Sequence, residues 1–410
     1  MRSVNTKTRL AWLGLALVLL ASGCTQRKET KPAADLATTV RRANVVYDSA
    51  TFQSGLAHVP PYVANGILGG CFDHMGFQSL PQHGNPNGRT IIGYAGHYYR
   101  HEASTRQSQT PLAYLKAQFA DGSSVLNMMD AGDYRQELDI YTGTLHTRYH
   151  LYGSTDMSVF AHHSVPNLMV IHINRSSEQQ GKELVLRLEC ETSATESEKA
   201  WKPEQPARLS FEQRQGAIRV NSSTNLASTV WWVSASCPAT VEGSQVVLLL
   251  QEGENLIKLM VERPDCPAPA DLEKMSYAEL KASHQQSWAE SWARSWVSLP
   301  DERANQIWMR GNYYNLSNFP NVPEKALIPT GLNGNIWGFT FPQDVYYVAE
   351  NLLRSGHFDR YEKAMRYWLD ILPETRRYGQ RIMEVEGAFY PWTPPFADWD
   401  SYEKKRGGGQ

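Results

Sequence analysis

At Cys266-Pro267-Ala268-Pro269-Ala270 the apolar residues of this 410-residue chain change their period, and no one type of secondary structure fits both sides. Upstream, short runs carry strand composition: LVLRLEC (184–190), AIRVNSS (217–223), STVWWVSAS (228–236) and SQVVLLLQ (244–251). Several alternate apolar with polar, and Gly, Asn and Ser separate them. Many strands with short turns predict a large antiparallel sandwich over residues 44–268.

Downstream the period becomes helical. Ser276 and Glu279 have capping-box spacing. His284, Trp288, Trp292 and Trp296 then recur every fourth residue, so they share one helix face. That face reads as the glue of a linker helix region, 269–299. From residue 300 onward the stripes continue. Ala304, Ile307, Trp308 and Tyr314 form one. Val345, Val348, Ala349, Leu352 and Leu353 form a second, and Tyr361, Ala364, Met365, Trp368 and Leu372 a third. Asp359 and Glu362 are spaced as another capping box, and Pro373 suits the first position of a further helix.

The N-terminus reads as an export signal. Arg2, Lys7 and Arg9 precede an apolar run over 10–21, which is short for a membrane span. Ala21-Ser22-Gly23-Cys24 follows and resembles a bacterial lipoprotein processing box. The expectation is cleavage after residue 23 and lipidation of Cys24. The protein would then be lipid-anchored in a bacterial cell envelope, at a periplasmic or outer-membrane face. Residues 24–43 read as a polar tether. A net charge of −2 gives no electrostatic grip on nucleic acid. The four other cysteines, Cys71, Cys190, Cys237 and Cys266, lack Cys-x-x-Cys spacing, so no metal site is expected. A Cys237–Cys266 pair is possible in an oxidising compartment. Cys71-Phe72-Asp73-His74 alternates across a strand and does not converge on a metal. No cofactor motif is present.

Tryptophan (12) and tyrosine (20) are abundant. Two loops concentrate them beside polar groups. GLNGNIWGFTFPQD (331–344) sets Trp337, Gln343 and Asp344 at the mouth of a helix, and GAFYPWTPP (387–395) holds Tyr390 and Trp392. Flat rings stack on the apolar faces of sugars while amides and carboxylates bond their hydroxyls. The same rings also serve as core packing, and Asp344 equally suits a helix N-cap.

Four ordered segments carry a family resemblance. They are ANGILGG (64–70), YRQELDIYTGTLHTR (134–148), the loop and helix over 328–353, and GAFYPW (387–392). Together they resemble the family 65 glycoside hydrolases, which include maltose, trehalose and kojibiose phosphorylases and acid trehalases. The resemblance implies an N-terminal β super-sandwich, a helical linker and an (α/α)6 barrel, of which residues 300–410 would be the start. It implies a carbohydrate substrate and inversion at the anomeric carbon. An acid protonates the leaving oxygen, and a second carboxylate, or phosphate itself, serves the opposite face. The motifs assign no general acid within this chain, which is expected beyond residue 410. The chain also departs from the family. Phe341-Pro342-Gln343 stands where the family has Phe-Trp-Asp, with Asp344 one place later. The substrate-binding residues implied are Trp337, Gln343, Asp344, Tyr390 and Trp392. Hydrolysis of an α-linked di- or oligosaccharide is the expected activity. A disaccharide phosphorylase and a non-catalytic carbohydrate-binding lipoprotein are the alternatives.

Overall fold

A computed structural model describes residues 33–50, 58–79, 92–101, 104–125, 131–190, 208–214, 216–223, 228–264, 266–319 and 342–391. Cys24, Trp337 and Trp392 lie outside them. The strands form two antiparallel sheets. The larger runs β1 (Val45–Asp48), β6 (Gly132–Asp139), β7 (Thr144–His150), β8 (Ser154–Ala161), β9 (Leu168–Arg175), β16 (Gly253–Val261), β13 (Ser228–Ala235), β12 (Ala217–Ser223) and β11 (Arg208–Arg214). The smaller runs β14 (Ala239–Glu242), β15 (Gln245–Leu249), β10 (Leu184–Cys190), β5 (Ser104–Phe119), β4 (Ile92–His101), β3 (Leu68–Cys71) and β2 (Tyr62–Ala64).

One core joins the inner faces. Leu115, Leu186, Leu188, Val246 and Leu248 of the smaller sheet belong to the same buried cluster as Leu138, Leu145, Met157, Ile171 and Trp231 of the larger. Where the larger sheet faces solvent its strands alternate, as in β7, where Leu145, Thr147 and Tyr149 are buried and Arg148 and His150 exposed. Further along, both faces turn apolar. Phe160, Leu168, Val170 and Met260 point outward and are buried under Leu272 and Leu280 of the helices that follow. The loss of alternation marks the strands that the linker covers.

Asn65 shows how the ANGILGG segment works. Its side-chain oxygen accepts from the N–H groups of Ile67 and Leu68, and its amide donates to the carbonyls of His162 and Pro166. One buried asparagine thus closes the β2–β3 turn and ties it to the β8–β9 loop of the other sheet.

The helices are α1 (Ala33–Arg41), α2 (Pro269–Lys274), α3 (Tyr277–Arg294), α4 (Glu302–Asn318), α5 (Pro342–Arg354), α6 (Phe358–Asp370) and α7 (Leu372–Ile382). Helix α1 corrects part of the expected tether. Leu36 and Val40 sit four residues apart, enter the main core, and Arg41 pairs with Asp139 at 3.1 Å. In α3 the Ser276–Glu279 capping box is present in both directions. His284, Trp288 and Trp292 are buried against the sandwich, and the Trp292 indole donates to the Ile140 carbonyl at 3.0 Å.

Two helix expectations fail. In α4, Ile307 and Tyr314 are exposed, while Asn305, Met309, Asn312, Tyr313, Leu316 and Ser317 are buried. The buried asparagines find partners there: Asn305 accepts from the Leu299 N–H, and Asn312 donates to the Trp308 carbonyl. In α6, His357 rather than Asp359 occupies the N-cap, with no side-chain cap bond. Asp359 lies within the first turn and pairs with Arg294 instead. No disulfide joins Cys237 to Cys266.

Candidate functional site

Helix α5 begins at Pro342, whose fixed φ and missing N–H suit the first helical position. That start places Asp344 in the third helical position, so it does not cap the helix. Gln343 beside it is exposed. The α5 stripe holds for Val345, Ala349 and Leu352, which are buried, while Leu353 is exposed.

Tyr390 sits on the loop after α7. Its ring meets Trp368 edge-on, with centroids 5.7 Å apart, and its hydroxyl donates to the Trp368 carbonyl at 2.9 Å. The hydroxyl is therefore engaged with backbone, and only the half-buried ring is left to meet a ligand. The loop folds back on α7 through three contacts. The Val385 N–H donates to the Gly379 carbonyl at 3.1 Å, the Phe389 N–H donates to the Thr375 carbonyl at 3.1 Å, and Phe389 stacks on Tyr378. A Cβ on Gly379 would lie 2.9 Å from the Gly387 carbonyl, so the helix needs glycine where the loop crosses it. Glu384, at φ 55, and Glu386 stand exposed on this loop. No hydrogen bond or ring contact links Gln343 to Tyr390 among the described residues. The two occupy separate elements, and Trp337 and Trp392 lie outside the described residues.

Beneath these elements the sandwich, α3 and α6 meet at one polar knot. The Arg360 guanidinium is buried and donates to the carbonyls of Leu316 and Phe319 at the end of α4. Its second amino group donates to His163 Nε2 of the β8–β9 loop and to Ser291 Oγ of α3. Burial pulls the Arg360 pKa down to about 10. His163 stacks on Trp288 with centroids 4.2 Å apart. No sequence pattern signals this knot, because a buried cation does not register in an apolar period.

A second feature was also missed. A cleft of about 580 Å³ opens along β6, β7 and β8 of the larger sheet, within the size range of ligand pockets, and takes residues from both faces of those strands. Strand register sets Asp48 opposite Arg135, Arg135 opposite Arg148, and Arg148 opposite Asp156. The cleft thus offers donors and acceptors side by side, which suits hydration or a neutral polar ligand more than an anion. Its sequence signal was the pair of arginines at outward positions on either side of the β6–β7 turn. In the neighbouring Cys71-Phe72-Asp73-His74 segment only Cys71 belongs to a strand, the end of β3, and the chain then turns: the Asp73 carboxylate accepts from the N–H groups of Met75, Phe77 and Ser79.

The class defined is a two-sheet sandwich joined by a tryptophan-rich linker helix to a helical segment. Among solved structures this fold is similar to a protein named as a kojibiose phosphorylase, from the human microbiome, with a TM-score of 0.62 at 12% identity. The alignment covers 90% of this chain and 52% of that one, so the chain spans about half the phosphorylase's length. The likeness shows a shared fold. A glycosyl hydrolase of family GH92 aligns at a TM-score of 0.35 and 11% identity, over 68% of this chain and 44% of its own. A family GH92 alpha-mannosidase from Bacteroides thetaiotaomicron aligns at 0.31 and 8% identity, over 64% and 38%. No protein family model matches the sequence. No curated protein matches it either.

Proposed function

We propose that the protein is a carbohydrate-active enzyme of the family 65 type that hydrolyses an α-linked di- or oligosaccharide with inversion. The observation that carries this reading is the fold shared with a kojibiose phosphorylase along 90% of the chain. The helical segment from α4 onward frames the sugar pocket. Trp337 is its stacking platform and Trp392 a second ring. Gln343 and Asp344, on the first turn of α5, bond hydroxyls. Tyr390 contributes its ring, since its hydroxyl is held by Trp368. Hydrolysis is preferred to phosphorolysis because a lipoprotein anchored through Cys24 works outside the cytoplasm, where making sugar phosphates brings little gain.

Calorimetric titration of the protein from its native source with maltose, trehalose and kojibiose tests the pocket. Binding of at least one is expected, weakened roughly tenfold or more by Trp337→Ala, since an aromatic platform contributes on the order of 1–3 kcal/mol. Unchanged affinity in that variant would remove Trp337 from the pocket.

A further inference from the structure

We infer that the buried histidines around Arg360 form an acid-sensitive latch, which holds α6, with α7 packed on it, against the sandwich at neutral pH and releases them on acidification. This rests on the geometry of the knot and not on the carbohydrate reading. Three of the four elements packed there present titratable or charged groups. The β8–β9 loop gives His162 and His163, α3 gives His284 and Arg294, and the start of α6 gives His357, Asp359 and Arg360. The α4 end gives only the carbonyls of Leu316 and Phe319.

The central contact works only with a neutral ring. Arg360 Nη2 lies 2.5 Å from His163 Nε2 and donates to it, so that nitrogen carries no proton. The proton sits on Nδ1, which is buried and has no hydrogen-bond partner. Protonating Nε2 would replace an acceptor by a second donor facing a guanidinium. The other rings are constrained in similar ways. His284 Nδ1 accepts from the His163 N–H at 3.1 Å, and His162 Nδ1 accepts from the Val165 N–H at 3.2 Å. Among the described residues, the only carboxylate bordering the cluster is Asp359, which is paired with Arg294. A new positive charge here therefore lacks a counter-ion and is already next to Arg360.

The direction of the pH effect follows. Burial lowers all four histidines, His162 and His357 to about 4, and His163 and His284 well below their ordinary value. Arg360 lowers His163 and His357 further. Release of α6 frees His357 and uncovers His163, whose ordinary value lies near 6.5, so the released state binds more protons, while His162 and His284 stay between the β8–β9 loop and α3. Docking is full above about pH 6.5 and weakens as the pH falls toward about 4. Although burial opposes it, the pair with Arg294 holds the Asp359 carboxyl below its ordinary value, so it stays charged over this window.

Hydrogen exchange on the whole protein, corrected for intrinsic rates, tests the latch. Between about pH 7.5 and about pH 4.5, amides of Phe358–Ile382 should exchange at least roughly tenfold faster, while those of β8 and β9 stay protected. His163→Gln keeps an acceptor for Arg360 but does not titrate, and should lower the acid midpoint by about half a pH unit or more. Three results overturn the inference: equal protection of α6 and α7 at both pH values, their opening only together with β8 and β9, or an unshifted midpoint in a folded His163→Gln protein. If that variant does not fold, the wild-type exchange profile alone decides.

Discussion

Trp288→Ala should destabilise the protein by about 3–5 kcal/mol, the range for removing a large buried ring. Trp288 is 1% exposed. Its ring lies between His163, at 4.2 Å, and Tyr313 of α4, at 5.3 Å between centroids, both nearly parallel to it. Its edge packs against the β6–β7 turn at Gly143. One side chain therefore touches two parts of the sandwich and the first helix beyond the linker. Aromatic pairs add about 0.5–1.5 kcal/mol each to the burial of apolar area. The indole N–H has no hydrogen-bond partner, so the loss is one of packing alone. Denaturant unfolding of the variant measures it. A loss under about 1 kcal/mol would mean that the linker does not hold the two parts together.

Gly143→Ala should cost about 2–4 kcal/mol, for two separable reasons. Gly143 has φ 59, in the left-handed region, where alanine costs about 1 kcal/mol. A Cβ there would also lie 2.3 Å from the Trp288 ring, and overpacking of this kind costs about 1–3 kcal/mol. The two causes separate in a double-mutant cycle. In a Trp288→Ala background the collision is gone, so Gly143→Ala should cost only about 1 kcal/mol. Additive costs would show that the glycine serves the turn alone and not the ring. The same geometry explains part of the YRQELDIYTGTLHTR segment (134–148). YTGTL is a hairpin turn stripped of a side chain where the linker tryptophan lands.

Much of the sandwich could be read from the sequence because its signals are local. LVLRLEC is β10, and AIRVNSS is β12. STVWWVSAS contains β13 and SQVVLLLQ contains β15. The Ser276–Glu279 box is local too, as is Pro373, which stands one place inside the start of α7 at Leu372. The helical segment was harder, since burial there depends on polar residues. An apolar stripe through Ile307 and Tyr314 looked sound, yet α4 turns Asn305, Asn312 and Ser317 inward, where Asn312 accepts from the side-chain amide of Asn351 on α5, 39 residues away. Asp359 has the spacing of a cap, but an arginine 65 residues away takes its carboxylate. Arg360 could not be expected inside at all. Its partners are two carbonyls, a histidine and a serine brought together from three elements. For the candidate site, the sequence located the start of α5 and the loop after α7. It missed by a few residues where the helix begins, and it did not show that the Tyr390 hydroxyl is spent on backbone.

The reaction itself is the most direct test. The protein from its native source should be incubated with α-linked disaccharides, with and without phosphate, and the products followed by NMR from the first minutes. Inverting hydrolysis gives free sugar whose newly released reducing end is first seen as the β-anomer, at a rate indifferent to phosphate. Release of a sugar 1-phosphate that depends on phosphate would contradict hydrolysis, and no turnover of any α-linked sugar would contradict the enzymatic reading as a whole.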